Sequence, residues 1–106
     1  MYKIITFCPE SDLINLIEAM SKAGAGDIGN YSHCSFYTLG TGNWKSLEGS
    51  NPTIGSVGHF SHEPEYKLEM ICPIIHLKSV VGAIKKTHSY EEPEIDIIEM
   101  VNTDEI

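Results

Sequence analysis

Two polar segments carry the side chains that could do chemistry. One is His88-Ser89-Tyr90-Glu91-Glu92-Pro93, where an imidazole and a carboxylate stand three residues apart. That His-x-x-Glu spacing suits a divalent metal or an acid–base pair, and His88 and Glu91 are the metal candidates. The same six residues also read as a polar turn, with Pro93 opening a strand. The other segment is Gly24-Ala25-Gly26-Asp27-Ile28-Gly29-Asn30-Tyr31-Ser32-His33-Cys34-Ser35, with three glycines in six residues. Glycine lets a backbone turn tightly or approach a ligand closely. A dinucleotide fingerprint must follow a strand and open a helix. These glycines follow a helix and lead into a strand, so that reading fails and a helix stop plus turn remains. His33 and Cys34 are neighbours, and on a strand they face opposite ways. They would share a metal only on irregular backbone. Cys34 reads as a buried strand cysteine in preference to a nucleophile, because nothing nearby marks a lowered pKa. His59, His62 and Glu63 form a third polar group, read as surface. No nucleophile elbow occurs.

The elements that hold these segments come from an internal repeat. Phe7-Cys8-Pro9 precedes Leu13, Leu16, Ile17 and Met20. Ile71-Cys72-Pro73 precedes Leu77, Val80, Val81 and Ile84. Counted from each proline, the apolar positions fall at +4, +7, +8 and +11 in both copies. This is the stripe of an amphipathic helix. A proline at a helix entry loses nothing by lacking an N–H. Gly24 is the C-cap candidate of the first helix, and the second ends near Thr87. A strand precedes each helix, at 2–8 and at 66–72. In the latter, Tyr66, Leu68, Met70 and Cys72 alternate with Lys67, Glu69 and Ile71. A strand also follows each helix, at 33–39 and at 94–101. The expected fold is α+β: a duplicated β-α-β, ferredoxin-like, with a four-stranded antiparallel sheet and both helices on one face. Residues 40–62, glycine-rich and poor in aliphatics, form a long irregular hairpin, with 44–47 a short strand. Residues 102–106 read as a frayed tail.

The chain of 106 residues, 42% hydrophobic and 21% charged, is read as a single domain spanning 1–106. Its net charge of −8 argues against nucleic-acid partners, since an acidic surface releases no counterions from a phosphate backbone. Three isolated cysteines with no C-x-x-C pair argue against a disulfide framework. With no signal pattern and no membrane-length apolar run, they fit a cytoplasmic protein.

Taken together, Gly24 to Phe36, Gly40-Thr41-Gly42, Gly49, Pro52, Gly55 and His88 to Pro93 resemble one family. They are similar to the domain inserted in YqfO-type proteins, the Nif-three-like dinuclear metal-centre hexamers. The resemblance covers nearly the whole chain and implies a free-standing copy of that domain, with the fold of PII and CutA signalling proteins. It also implies that the family's metal ligands, which lie in the flanking halves, are not in this chain. The transcription-factor and GTP cyclohydrolase labels of the family do not transfer with the domain. Ser89 departs from the family's usual proline, a change expected to loosen the turn. The expected function is a non-catalytic, homo-oligomeric binding or regulatory module of unknown ligand. The alternative is a small metal-dependent hydrolase using His88, Glu91 and His33. The ligand candidates are Gly26, Gly29, Asn30, Tyr31, His33, Cys34, His88, Tyr90, Glu91 and Glu92, and a divalent metal is the one cofactor candidate. Topology puts the two segments at opposite ends of a protomer. A dimer or trimer would let them meet across a subunit boundary.

Overall fold

A computed structural model describes residues 1–106. The chain runs β1 (Tyr2–Cys8), α1 (Glu10–Ala23), β2 (Phe36–Lys45), β3 (Phe60–Cys72), α2 (Leu77–Thr87) and β4 (Ile95–Glu99). The sheet order is β2-β3-β1-β4, and every neighbouring pair is antiparallel. This is the expected ferredoxin-like arrangement.

Central β1 supplies Ile4, Thr6 and Cys8 to the interior, all fully buried. Pro9 and Pro73 are both extended, with ψ of 158° and 152°, and each turns the chain out of a strand. The two copies then differ. Pro9 leads straight into α1, whereas a 3-10 turn at Ile74–His76 precedes α2. The repeated stripe is the core: Leu13, Leu16, Ile17, Met20, Val80 and Ile84 cluster with Leu68, Met70 and Cys72. Leu77 packs at the margin, and Val81 is only half-buried. Gly24 caps α1 at φ 122°, its N–H donating to Ser21 O, while the Ala25 N–H donates to Met20 O. A Cβ on Gly24 would collide with the His76 ring, so both backbone and space require glycine there.

Several boundaries differ from those read in the sequence. The second strand starts at Phe36, not residue 33, because His33 adopts a left-handed φ of 60° that breaks the extended chain. Cys34 is therefore a half-buried loop residue with its thiol 4.0 Å from Ser32 O, not a buried strand cysteine. The third strand begins at Phe60, six residues earlier than expected, and pairs with β2 from Phe36↔Glu69 to Lys45↔Phe60. Gly40, Gly42 and Pro64, which look like turn residues, all sit inside this ladder. Pro64 is tolerated because β3 over 60–65 has β2 on one side only and behaves as an edge. Trp44 and Lys45 end β2 instead of forming a strand of their own, and Ser46 bridges to Val57. The hairpin extends the molecule to 49 Å along its longest axis. Residues 103–105 form a 3-10 turn capped by the Asn102 side chain, not a frayed tail. The Met100 N–H donates to Met1 O (3.0 Å). No helix is long and apolar enough to cross a membrane.

Thiol chemistry follows from this packing. Burial, then the nearby Asp12 and Glu65 charges, push the Cys8 thiol up to about 12, and burial alone raises Cys72. With native protein at neutral pH, a thiol reagent should label Cys34 alone, and all three cysteines after unfolding. Rapid labelling of all three would contradict the buried placement. The folded chain keeps a proton on Cys8 that the unfolded chain releases above 9.0, so stability should fall as pH rises from 9 towards 12. Cys8→Ala should flatten that decline in a pH series of melts.

Candidate functional site

The segment His88–Pro93 is built as a rigid strap. Its start is the end of α2, where the His88 N–H donates to Ile84 O (2.8 Å). The His88 side chain is fully buried. Nε2 lies 2.7 Å from Phe7 O, and Nδ1 lies 3.0 Å from Tyr90 N. A carbonyl only accepts and an N–H only donates, so the ring is the Nε2–H tautomer with both nitrogens engaged. Asp12, in the first turn of α1, accepts from Ser89 N–H (3.0 Å) and Ser89 Oγ–H (2.6 Å). Ser89 therefore ties the turn to α1 instead of loosening it, using an N–H that proline lacks. The Thr53 hydroxyl donates to Ser89 O (2.7 Å), and Glu91 accepts from Asn51 N–H (2.9 Å).

Between this strap and β2 lies a groove of about 790 Å3. Trp44 and Tyr90 form one wall, with ring centroids 5.8 Å apart and planes at 52°. Glu65, Glu91, Glu92 and Glu94 line it as well. Glu65 reaches across the strand partner position of Gly40 and lies against Gly42, where a Cβ would overlap its carboxylate. The Tyr90 hydroxyl is buried beside Glu65 without a hydrogen bond of good geometry. Burial, followed by the Glu65 carboxylate, raises its pKa. The carboxyl of Glu94 is raised chiefly by hydrogen bonding with Asp96.

The glycine segment sits at the other end of the sheet. The Gly26 N–H donates to Ile71 O and its carbonyl accepts from Cys34 N–H, both 2.8 Å. Gly29 and Asn30 form the two-residue turn between Ile28 and Tyr31, which exchange backbone hydrogen bonds of 2.9 Å. Tyr31 projects to solvent. His33 Nε2 lies 3.2 Å from Glu18 on α1. This end of β1 pairs Tyr2 with Cys72, while the groove end pairs Cys8 with Tyr66.

Of the residues singled out from the sequence, the fold brings Tyr90, Glu91 and Glu92 into one groove, with His88 beneath them as an anchor. Gly26, Gly29, Asn30, Tyr31, His33 and Cys34 stand apart. His88 and Glu91 do not form a metal pair as placed, because both imidazole nitrogens and one carboxylate oxygen are hydrogen-bonded within the protein. His62 bonds to Asn43 across the hairpin. Trp44, Glu65 and Glu94 were not singled out. For Trp44 and Glu65 the only signal is the strand register, which the glycines and Pro64 conceal, whereas Glu94 follows directly on the strap.

No protein-family model matches the chain. It is 42% identical over 105 residues to a GTP cyclohydrolase 1 type 2 homolog of Halalkalibacterium halodurans, covering 99% of this chain and 28% of that protein. A Bacillus cereus protein related to NIF3 superposes with a TM-score of 0.83 at 34% identity, covering 95% of this chain and 26% of that one. The PII-like protein CutA of Nostoc sp. PCC 7120 superposes with a TM-score of 0.70 at 18% identity, covering 98% and 85%. The fold is thus that of the CutA and PII-like proteins. The chain corresponds to a CutA-like domain of the NIF3-related, YqfO-type proteins, and it spans about a quarter of the length of the curated relatives it matches.

Proposed function

We propose that this domain is a non-catalytic, homo-oligomeric binding or regulatory module. The observation that carries the reading is the outer edge of β2. Ten residues long, it pairs only with β3, and Phe36, Tyr37 and Leu39 are 65%, 46% and 59% exposed on it. A long, apolar, unpaired edge templates further pairing unless something covers it. A second copy of the same edge or face does so in a closed assembly, a dimer or trimer. Such an assembly would also allow the Gly24–Ser35 end of one protomer to approach the groove end of another. The non-catalytic reading is supported further by His88, whose two ring nitrogens are both hydrogen-bonded to backbone in holding the strap.

Sedimentation of the purified chain at micromolar concentration should give two or three times the protomer mass of 11.8 kDa. Leu39→Lys, which charges the edge while leaving the core untouched, should shift the mass towards the protomer. A monomer for the wild-type chain would overturn the reading. So would metal-dependent turnover that disappears in Glu91→Ala.

A further inference from the structure

We propose that residues 49–55 form a hinged lid on the groove, latched to the 88–93 strap by two hydrogen bonds. The lid lies within one protomer, so the inference goes beyond the assembly and does not rest on it.

The segment is fixed at its neck and lightly held along its length. At the neck, Ser46 is buried, bridges to Val57 and accepts from the Gly58 N–H (2.7 Å). Beyond that point, residues 49–55 make two hydrogen bonds outside their own hairpin. The Asn51 N–H donates to Glu91 (2.9 Å), and the Thr53 hydroxyl donates to Ser89 O (2.7 Å). Both end on the strap, and both are exposed. The strap's own ties are of another kind. The His88 side chain is fully buried, and the bonds from Ser89 to Asp12 and from the Tyr90 N–H to His88 are partly buried. Water competes freely for the exposed pair and poorly for the buried set. The lid therefore opens locally while the strap stays in place.

Hinges stand at both ends of the segment. Gly49 and Gly55 bracket it at φ of 94° and 89°. Such angles suit glycine and strain other residues, and a few loop residues of this kind can absorb the backbone change of a closing segment. A Cβ on Gly55 would meet Ser61 Oγ, whereas one on Gly49 would have nothing within 4 Å. Between the hinges the two apolar side chains, Pro52 and Ile54, are half-buried, and both line the groove with Trp44 and Tyr90. Opening the lid widens the groove beside the Trp44–Tyr90 wall and leaves every strand and helix untouched.

Amide exchange followed by NMR on the intact chain reads the latch. The Asn51 N–H should be better protected than the Gly49 N–H, which has no acceptor. Thr53→Val removes one latch and leaves the acceptor of Asn51 in place. If the two bonds shut a single lid, exchange at Asn51 should rise by about twofold to tenfold, the equilibrium effect of one hydrogen bond. The His88 and Tyr90 amides should stay as in wild type. Gly49→Ala, which strains the closed backbone without a clash, should raise exchange at Asn51 as well. Quenching of Trp44, the only tryptophan, by acrylamide should increase in both variants. An Asn51 amide as unprotected as that of Gly49, or one indifferent to Thr53→Val, overturns the lid. Equal acceleration at Tyr90 overturns it too, because loop and strap would then move as one unit. Sedimentation of the same samples keeps the assembly apart. An oligomer whose Asn51 does not respond loses the lid and keeps the assembly, and a monomer whose Asn51 responds does the reverse.

Discussion

Leu16→Ala should lower the free energy of unfolding by about 2–5 kcal/mol in a denaturant titration. The side chain is fully buried, on the α1 stripe, in a cluster drawn from both halves of the repeat. Its neighbours in that cluster include Val80 and Ile84 from α2 and Leu68 and Met70 from β3. These are held by helices and a central sheet, so the space vacated cannot collapse fully. The cost is then the lost transfer of three carbons from water plus an unfilled cavity. Ile14 provides the control. It lies on the same helix but is 63% exposed, and Ile14→Ala should change stability by no more than about 0.5 kcal/mol. If the two substitutions cost the same, the stripe does not face the sheet.

His88→Ala should cost about 3 kcal/mol, for a different reason. A fully buried imidazole goes, and with it two buried hydrogen bonds. The Phe7 carbonyl and the Tyr90 N–H would each lose their partner, and leaving a buried backbone group unsatisfied costs roughly 1–3 kcal/mol. The change should also be visible in the groove. The Tyr90 ring lies 4.8 Å from the His88 ring and 5.8 Å from Trp44, so loosening the strap should shift Trp44 emission even before unfolding begins. A variant as stable as wild type, with unchanged emission, would show that His88 does not anchor the strap.

Much of this fold is legible in the sequence, and the reason is the repeat. Two copies of an apolar-Cys-Pro entry followed by the same helical stripe mark strand ends, helix starts and core faces together. Leu13, Leu16, Ile17, Met20, Val80 and Ile84 all lie where that pattern puts them. Gly24 also ends its helix as expected. What stayed hidden depends on tertiary pairing. Gly40, Gly42 and Pro64 carry turn-like propensity, but the ladder between β2 and β3 overrides it and runs through all three. His33 takes a left-handed φ, which is uncommon for any residue other than glycine, so β2 starts later than its composition suggests. The groove was half legible. Tyr90, Glu91 and Glu92 stand in a distinctive motif, whereas Trp44 and Glu65 join them only through hairpin register. His88 was recognised as important, but no spacing rule reveals that both its nitrogens face the backbone.

Pairing of β1 with β4 has a consequence for how such a unit is used. The first and last strands run antiparallel side by side, and the backbone of Met100 bonds to that of Met1. The backbone at Met1 and that at Met100, six residues before the last, are therefore separated by about the 5 Å spacing of neighbouring strands. A unit with this geometry can interrupt a surface turn of a host protein while barely prising the turn open, because the host feels only a gap one strand wide. The same closeness means that a short peptide can join the two ends. The joined chain can then be reopened in the 47–59 connection, giving a circular permutant with every core strand intact.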